Sequence, residues 1–340
     1  MKDLGVGVIG TGWVSDEYIK AFSSNPSTRV IAICSRAKER AQAKAEKHEL
    51  KNCAFVTDPE EMVDLPGLDI VCIATPNFLH AQQTIMAADH GKHIVIEKPI
   101  AIEWRDVIRM KEAVDRAGVT TIVSFVLRWN PLVRTCRKLV SDGALGRIFH
   151  AEVDYLHAAV RSSGAPPWWT RKETGGSILQ ENGCHAVDAL RWLVNDDAAL
   201  VVALAGNFRS DFEQDTTITL ITKFKGGALG KVCCSCDVVS PYLFNISLYG
   251  DKGTLLNNRL WSIEQFPDQS DWITIPAQAP DSGDVTHHPF SSEINHFVEC
   301  ILEGKSTIVD LKDAIKTFEI IEAADRSAAA GGIPVKIPLA

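Results

Sequence analysis

The segment 4–15, Leu-Gly-Val-Gly-Val-Ile-Gly-Thr-Gly-Trp-Val-Ser, narrows the possible folds more than any other stretch of the chain. An apolar run ends in Gly10-Thr11-Gly12, and residues 16–24 follow with helical character, so strand, glycine turn and helix come in direct succession. In that order the first glycine permits a tight turn and the second lets a diphosphate approach the backbone; a small third residue lets the helix pack on the strand. The third place is Ser15, small although not glycine. A turn serving packing alone is the alternative, and the turn by itself does not exclude it.

The next hundred residues favour the ligand-binding reading. Apolar runs at 29–35, 68–74, 93–96 and 120–125 alternate with helical stretches at 37–48, 80–90 and 104–117. Strands separated by helices of this length predict a doubly wound parallel sheet, here a Rossmann domain over residues 1–125. After Phe125 the texture changes: a helix over 131–141, a strand over 148–158, a Pro- and Trp-rich loop over 161–172, and a helix entered through Gly175-Gly176 that ends near Val194. Short alternating runs from 199 to 275 are split by turns at 225–227 and 249–253, and helices over 293–302 and 311–329 close the chain. The fold class expected is therefore α/β, with the parallel sheet joined to a second, α+β domain over 126–340 built on a large, mostly antiparallel sheet. A length of 340 residues suits two such cores.

Charge and hydropathy exclude several partners. With 35 Lys+Arg against 43 Asp+Glu the net charge is -8, which opposes a nucleic-acid backbone and an anionic lipid surface. No apolar run approaches the roughly 18 residues of a membrane span, and Met1-Lys2-Asp3 leads into a strand pattern instead of a signal peptide, so a cytoplasmic protein is expected. The nine cysteines then read as reduced thiols. Cys233 and Cys236 form a C-x-x-C, but on a strand residues three apart face opposite ways. The sequence around His287-His288 offers no spaced carboxylate-histidine motif, and no metal is expected.

Two positions stand out for chemistry. Lys98 in Glu97-Lys98-Pro99 falls at the carboxyl end of an expected parallel strand, where ligands of open α/β sheets collect, and Pro99 biases the lysine away from helix. His185 falls on an expected helix with Glu181 four residues before it and Asp188 three after, so that the three share a face; a carboxylate there can orient and stabilise an imidazolium. A structural polar cluster is the competing account. Cys184, next to the histidine, points about 100° away and is no partner for it. At the end of the second strand stand Ser35 and Arg36, where an acidic residue would hold the ribose hydroxyls of NAD. Ser35 leaves room for a 2′-phosphate and Arg36 could pair with it, which favours NADP slightly over NAD.

These motifs, with Thr75-Pro76-Asn77, His80, Gly175-Gly176 through Asp188 and the run Glu293-Ile-Asn-His-Phe297, together resemble the glucose-fructose oxidoreductase, inositol dehydrogenase and rhizopine-catabolism (Gfo/Idh/MocA) family along essentially the whole chain. The resemblance implies NAD(P)-dependent oxidation of a sugar or polyol hydroxyl, or the reverse reduction, by a homodimer or homotetramer assembled through the second sheet. It makes Lys98 and His185 catalytic, with Glu181 standing where the family commonly has aspartate, so that Glu181 either orients His185 or reaches the substrate. Candidate cofactor contacts are Gly10, Thr11, Gly12, Trp13, Val14, Ser35, Arg36, Arg40, Ala74, Thr75, Pro76, Asn77, His80, Glu97 and Lys98. Candidate substrate contacts are Lys98, Arg128, Tyr155, Trp168, Trp169, Arg171, Glu181 and His185, the indoles offering flat faces to sugar C–H bonds. Tyr155 and His157 alternate with Glu152 and Asp154, so one pair faces the cleft. A nicotinamide-binding regulator without turnover, and a glycosidase or epimerase that oxidises its substrate transiently, are the rival readings.

Overall fold

In the computed structural model, residues 3–158, 167–280 and 288–339 are described. Met1, Lys2, His287 and the first half of the expected 161–172 loop lie outside them. The chain runs β1 (Leu4–Ile9), α1 (Val14–Ser24), β2 (Thr28–Cys34), α2 (Lys38–Lys47), β3 (Ala54–Val56), α3 (Pro59–Val63), β4 (Leu68–Ile73), α4 (His80–Asp89), β5 (His93–Ile96), α5 (Trp104–Ala117) and β6 (Thr121–Val123). It continues with α6 (Pro131–Ser141), β7 (Ile148–Leu156), the single turn α7 (Lys172–Gly175), α8 (Cys184–Val194) and strands β8 (Ala198–Gly206), β9 (Thr217–Phe224), β10 (Leu229–Ser235) and β11 (Leu243–Gly250). Then come β12 (Gly253–Leu256), β13 (Arg259–Ser262), β14 (Ile273–Thr274), α9 (Phe290–Glu303), α10 (Leu311–Ala329) and β15 (Val335–Lys336).

Two compact units result. The first comprises Met1–Val126 and His288–Ile315. Its six strands lie in the order β3-β2-β1-β4-β5-β6 and every pair is parallel. Strand order reverses between β1 and β4, which opens a crevice at their carboxyl ends. The strands are apolar on both faces, with Val6, Val8, Ile33, Ile70, Ile73, Ile94 and Ile96 buried, as a sheet covered by helices on both sides requires. The return of 288–315 to this unit differs from a division at 125/126. Its cause is packing: Phe290 sets its ring edge-on to Tyr18 of α1 at 5.0 Å, Asn25 Nδ2 donates to Asn295 Oδ1 at 2.8 Å, and Val123 N donates to Val309 O at 2.9 Å.

The second unit comprises Leu127–His287 and Lys316–Ala340. Among its described residues a nine-stranded sheet runs β14-β13-β12-β11-β7-β10-β9-β8-β15. Only β7 and β10 pair in parallel. Helix α8 lies against β7 and β10. Side chains alternate accordingly: Ile218, Leu220 and Phe224 are buried, while Thr219, Ile221 and Lys223 are exposed.

Candidate active site

In the first unit the glycine turn follows β1. Gly10 has φ +112°, and a Cβ there would stand 2.1 Å from the Ala74 carbonyl oxygen after β4, so the position admits only glycine. Gly12 is the opposite case, because a Cβ there would meet nothing within 4 Å. That open side, together with an α1 N-terminus that carries no side-chain cap, is the space and the set of amide donors a diphosphate needs. Ser15 is fully buried and its Oγ donates to Gly12 O at 2.6 Å, so the serine in the third glycine's place ties the turn to the helix. Trp13 is exposed at the mouth of the turn, and Val14 opens α1. The residues present fit a dinucleotide. Two variants separate the glycines: Gly10→Ala is expected to cost about 2–4 kcal/mol of stability. Gly12→Val should fold normally and lose cofactor affinity by a factor on the order of a hundred. Thermal melts and cofactor titrations check both.

At the end of β2, Ser35 is nearly buried and its Oγ lies 3.1 Å from Thr11 Oγ1, while Arg36 and Arg40 are exposed. Burial, with the Asp58 and Glu61 carboxylates nearby, pushes the neighbouring Cys34 thiol up to about 12. At the end of β4, Ala74 N donates to Ile9 O at 2.8 Å and Thr75 Oγ1 donates to Gln83 Oε1 at 2.6 Å; Asn77 is buried beyond Pro76.

Two expected cofactor contacts turn inward instead. His80 is fully buried, its Nδ1 2.7 Å from Pro99 O and its Nε2 2.8 Å from Thr75 O, so its ring braces the loops after β4 and β5. Glu97 accepts from Tyr18 Oη on Oε1 at 2.8 Å and from the Lys98 backbone N–H on Oε2 at 2.8 Å. Its carboxylate thereby fixes the backbone from which Lys98 springs, and Lys98 itself is half-exposed.

In the second unit the helix bearing His185 departs from expectation. Leu179–Gly183 is a π-helical turn, and the α-helix begins only at Cys184. Its entry is a capping box, with Ser177 N donating to Gln180 Oε1 at 3.0 Å and Gln180 N donating to Ser177 Oγ at 3.2 Å. Gly183 lets this turn sit on β10, since a Cβ there would stand 2.9 Å from that of Cys234. The wider turn takes Glu181 off the 3.6-residue register assumed for it. Asp188 is also committed elsewhere: Arg128 Nε and Nη2 grip its two oxygens at 2.7 and 2.6 Å, and Thr317 Oγ1 donates to it at 3.0 Å. Arg128, expected to meet substrate, is 2% exposed in this clamp and lies over the Trp192 ring.

His185 is 6% exposed and stacks at 18° on Tyr155, with ring centroids 6.4 Å apart. Tyr155 and His157 thus share the side of His185, whereas Glu152 and Asp154 pair with Lys231 on the other face at 3.1 and 2.9 Å. Tyr242, which the sequence did not single out, completes an aromatic group, its ring 5.2 Å from Tyr155 and 5.7 Å from His157. Burial holds His157 below the usual histidine range and raises Tyr155 well above the tyrosine range, the Glu181 carboxylate adding to the latter. Trp169 packs edge-on to Phe212 at 5.3 Å, Trp168 is half-exposed, and Arg171 is exposed. Of the C-x-x-C pair, Cys236 is buried and Cys233 half-exposed.

The family described as an oxidoreductase family with an NAD-binding Rossmann fold matches residues 4–125, and the GFO/IDH/MocA C-terminal domain matches residues 133–256. The chain is 28% identical over 345 residues to scyllo-inositol 2-dehydrogenase (NAD(+)) of Bacillus subtilis (strain 168), covering 97% of this chain and 95% of that protein. It is 26% identical over 339 residues to D-apiose dehydrogenase of Paraburkholderia graminis, covering 95% and 87%. A solved levoglucosan dehydrogenase in complex with NADH superposes over all of both chains with a TM-score of 0.87 at 24% identity, a likeness of fold.

Proposed function

The chain belongs to the GFO/IDH/MocA oxidoreductase family, and from that premise we propose that it moves a hydride between nicotinamide and a hydroxyl-bearing carbon of a sugar or polyol. The observation that carries the reading is the turn at Gly10 and Gly12, closed against Ala74 on one side and open on the other at the reversal point of the parallel sheet. Relatives that act on inositol and apiose support the substrate class.

A bound nicotinamide supplies the ring carbon that accepts or returns the hydride. The chain's own residues do the rest. The turn and the first amides of α1 hold the diphosphate, and Thr11 with Ser35 border the ribose. An imidazole nitrogen of His185 takes the hydroxyl proton, and the Lys98 ammonium stabilises the charge that develops on that oxygen. Tyr155, His157 and Tyr242 offer ring faces and edges to the sugar, and Glu181 either orients His185 or binds a neighbouring hydroxyl. His80 and Glu97 act through the backbone they hold.

NAD is the family's cofactor, and Ser35 leaves NADP admissible as well. Ser35→Asp should weaken NADP binding by on the order of tenfold relative to NAD, because a carboxylate there repels the 2′-phosphate. Titration with both cofactors reads the ratio. No helix among the described residues is long and apolar enough to cross a membrane. The nine free thiols support a reducing, cytoplasmic setting. A homodimer or homotetramer through the outer face of the nine-stranded sheet is supported by Ile221, 54% exposed, and Leu229, 46% exposed, on that face. Light scattering should find a multiple of the chain mass, shifted toward monomer by Ile221→Glu.

The test of function is absorbance of reduced nicotinamide across a panel of polyols and aldoses with both cofactors. Growth of the band with a cyclic polyol or an aldose is expected. Tight cofactor binding without turnover on the whole panel would favour a regulator instead.

A further inference from the structure

Behind the Glu97-Lys98 turn the first unit holds a sealed group of ionisable side chains that the proposed chemistry does not use. Tyr18 of α1, Cys72 of β4 and Glu293 of α9 are fully buried, and Ser124, just after β6, and Glu97, just after β5, are nearly so. Tyr18 Oη donates to Glu97 Oε1 at 2.8 Å and makes a short hydrogen bond with Ser124 Oγ. Glu97 Oε2 is taken by the Lys98 N–H. Neither carboxyl oxygen of Glu293 has a hydrogen-bond partner.

Counting hydrogens leaves two arrangements of the charge. Tyr18 has one hydroxyl hydrogen and directs it at Glu97, so in the Tyr18–Ser124 bond the hydrogen must come from Ser124. Both hydroxyl hydrogens then point away from Glu293. An ionised carboxylate there would be fully buried with no donor, one of the costliest arrangements a protein interior can hold. The opposite direction, with Tyr18 donating to Ser124, would need the proton on Glu97. In either arrangement the two carboxyls carry one proton between them, and the Lys98 N–H favours leaving the negative charge on Glu97.

We propose that Glu293 is a neutral acid that fixes the charge of this buried group at one and keeps it on Glu97, making Glu293 a positioning residue for the Glu97-Lys98 turn. The groups facing it are Glu97 from the end of β5, Tyr18 from α1, Cys72 from β4 and the Ser124 hydroxyl from the end of β6. Burial first, and the Glu97 charge second, hold the Glu293 carboxyl well above its ordinary value of 4.5. The consequence for Lys98 rests on the role proposed for that lysine; the proton on Glu293 does not.

The sign of the linked stability follows. A folded-state value raised above the unfolded one contributes stability that is whole below the unfolded value and is lost as pH rises toward the folded value. Glu293→Gln, neutral at every pH and of similar size, escapes that loss. Two readouts on the full-length protein test the proposal. The infrared difference spectrum, wild type minus Glu293→Gln at neutral pH, should contain the C=O stretch of a protonated carboxyl group. The melting temperature of the variant relative to wild type should rise steadily between pH 5 and pH 8. An absent band, a variant that melts lower by an amount independent of pH, or a variant that does not fold would each overturn the proposal. None of these readouts depends on turnover, so failure here is distinct from failure of the oxidoreductase reading.

Discussion

Replacing His185 with Asn is expected to lower kcat by a factor on the order of a thousand, within the range contributed by a positioned general base. The conservative substitution is needed because His185 is 6% exposed and stacked on Tyr155; alanine would open a void there and mix lost packing with lost chemistry. In wild type, kcat/KM for oxidation should rise with pH as the imidazole becomes neutral and able to accept the hydroxyl proton, then level off. Burial moves the ionisation of His157, the neighbouring histidine, to lower pH. Glu181→Gln then assigns Glu181: as orienter of His185 it favours imidazolium, and its loss moves the rise to lower pH; as a substrate contact it raises KM and leaves the profile in place. pH-rate profiles at saturating cofactor, with thermal melts, read all of this. A His185→Asn enzyme with wild-type kcat would remove the histidine from the mechanism.

Lys98→Met should lower kcat by a factor in the hundreds, the loss of one donor to a developing oxyanion, while cofactor affinity stays within about twofold. The reason for that split is local. Lys98 is held through its backbone by Glu97, itself gripped by Tyr18, so the substitution removes the ammonium without loosening the strand end. Stopped-flow reduction gives kcat and fluorescence titration gives the cofactor Kd. A large loss of cofactor affinity with kcat preserved would instead place the ammonium on the cofactor phosphates.

The sequence announces what repeats locally and hides what depends on partners far along the chain. The glycine turn, five of the parallel strands and the alternating second sheet were legible, the parallel strands as continuous apolar runs and the second sheet by its period of two. Strand β3 was not, since three half-buried residues, Ala54 to Val56, carry no period. The start of α3 does carry a local signal: Asp58 caps the helix by accepting from Glu60 N, with Pro59 in its first turn.

The site was legible by type and less so by pose. Lys98 and the turn at 10–12 fall where spacing puts them, at strand ends, whereas His185, expected inside a helix entered through Gly175-Gly176, stands at the start of one. Arg128 finds its partner Asp188 60 residues away, and no local pattern shows that a cation will be gripped by two oxygens and buried. The shared face of Glu181, His185 and Asp188 assumed an α-helical period that the π turn over Leu179–Gly183 breaks. Tyr242 sits just before β11, outside any sequence pattern, and only the fold brings it to Tyr155. His80 and Glu97 turn inward to brace the loops after β4 and β5, and sequence locates a residue on a loop without telling which way it turns.

The central claim is that the chain passes a hydride directly between a substrate carbon and nicotinamide. Isotope transfer tests it most directly: a polyol or aldose found active in the panel, carrying deuterium on the carbon that is oxidised, is turned over with NAD, and the reduced cofactor is weighed by mass spectrometry. One deuterium in each reduced nicotinamide is the predicted result, with the rate falling in parallel in Lys98→Met and His185→Asn. Product formed with no deuterium in the cofactor would contradict the account.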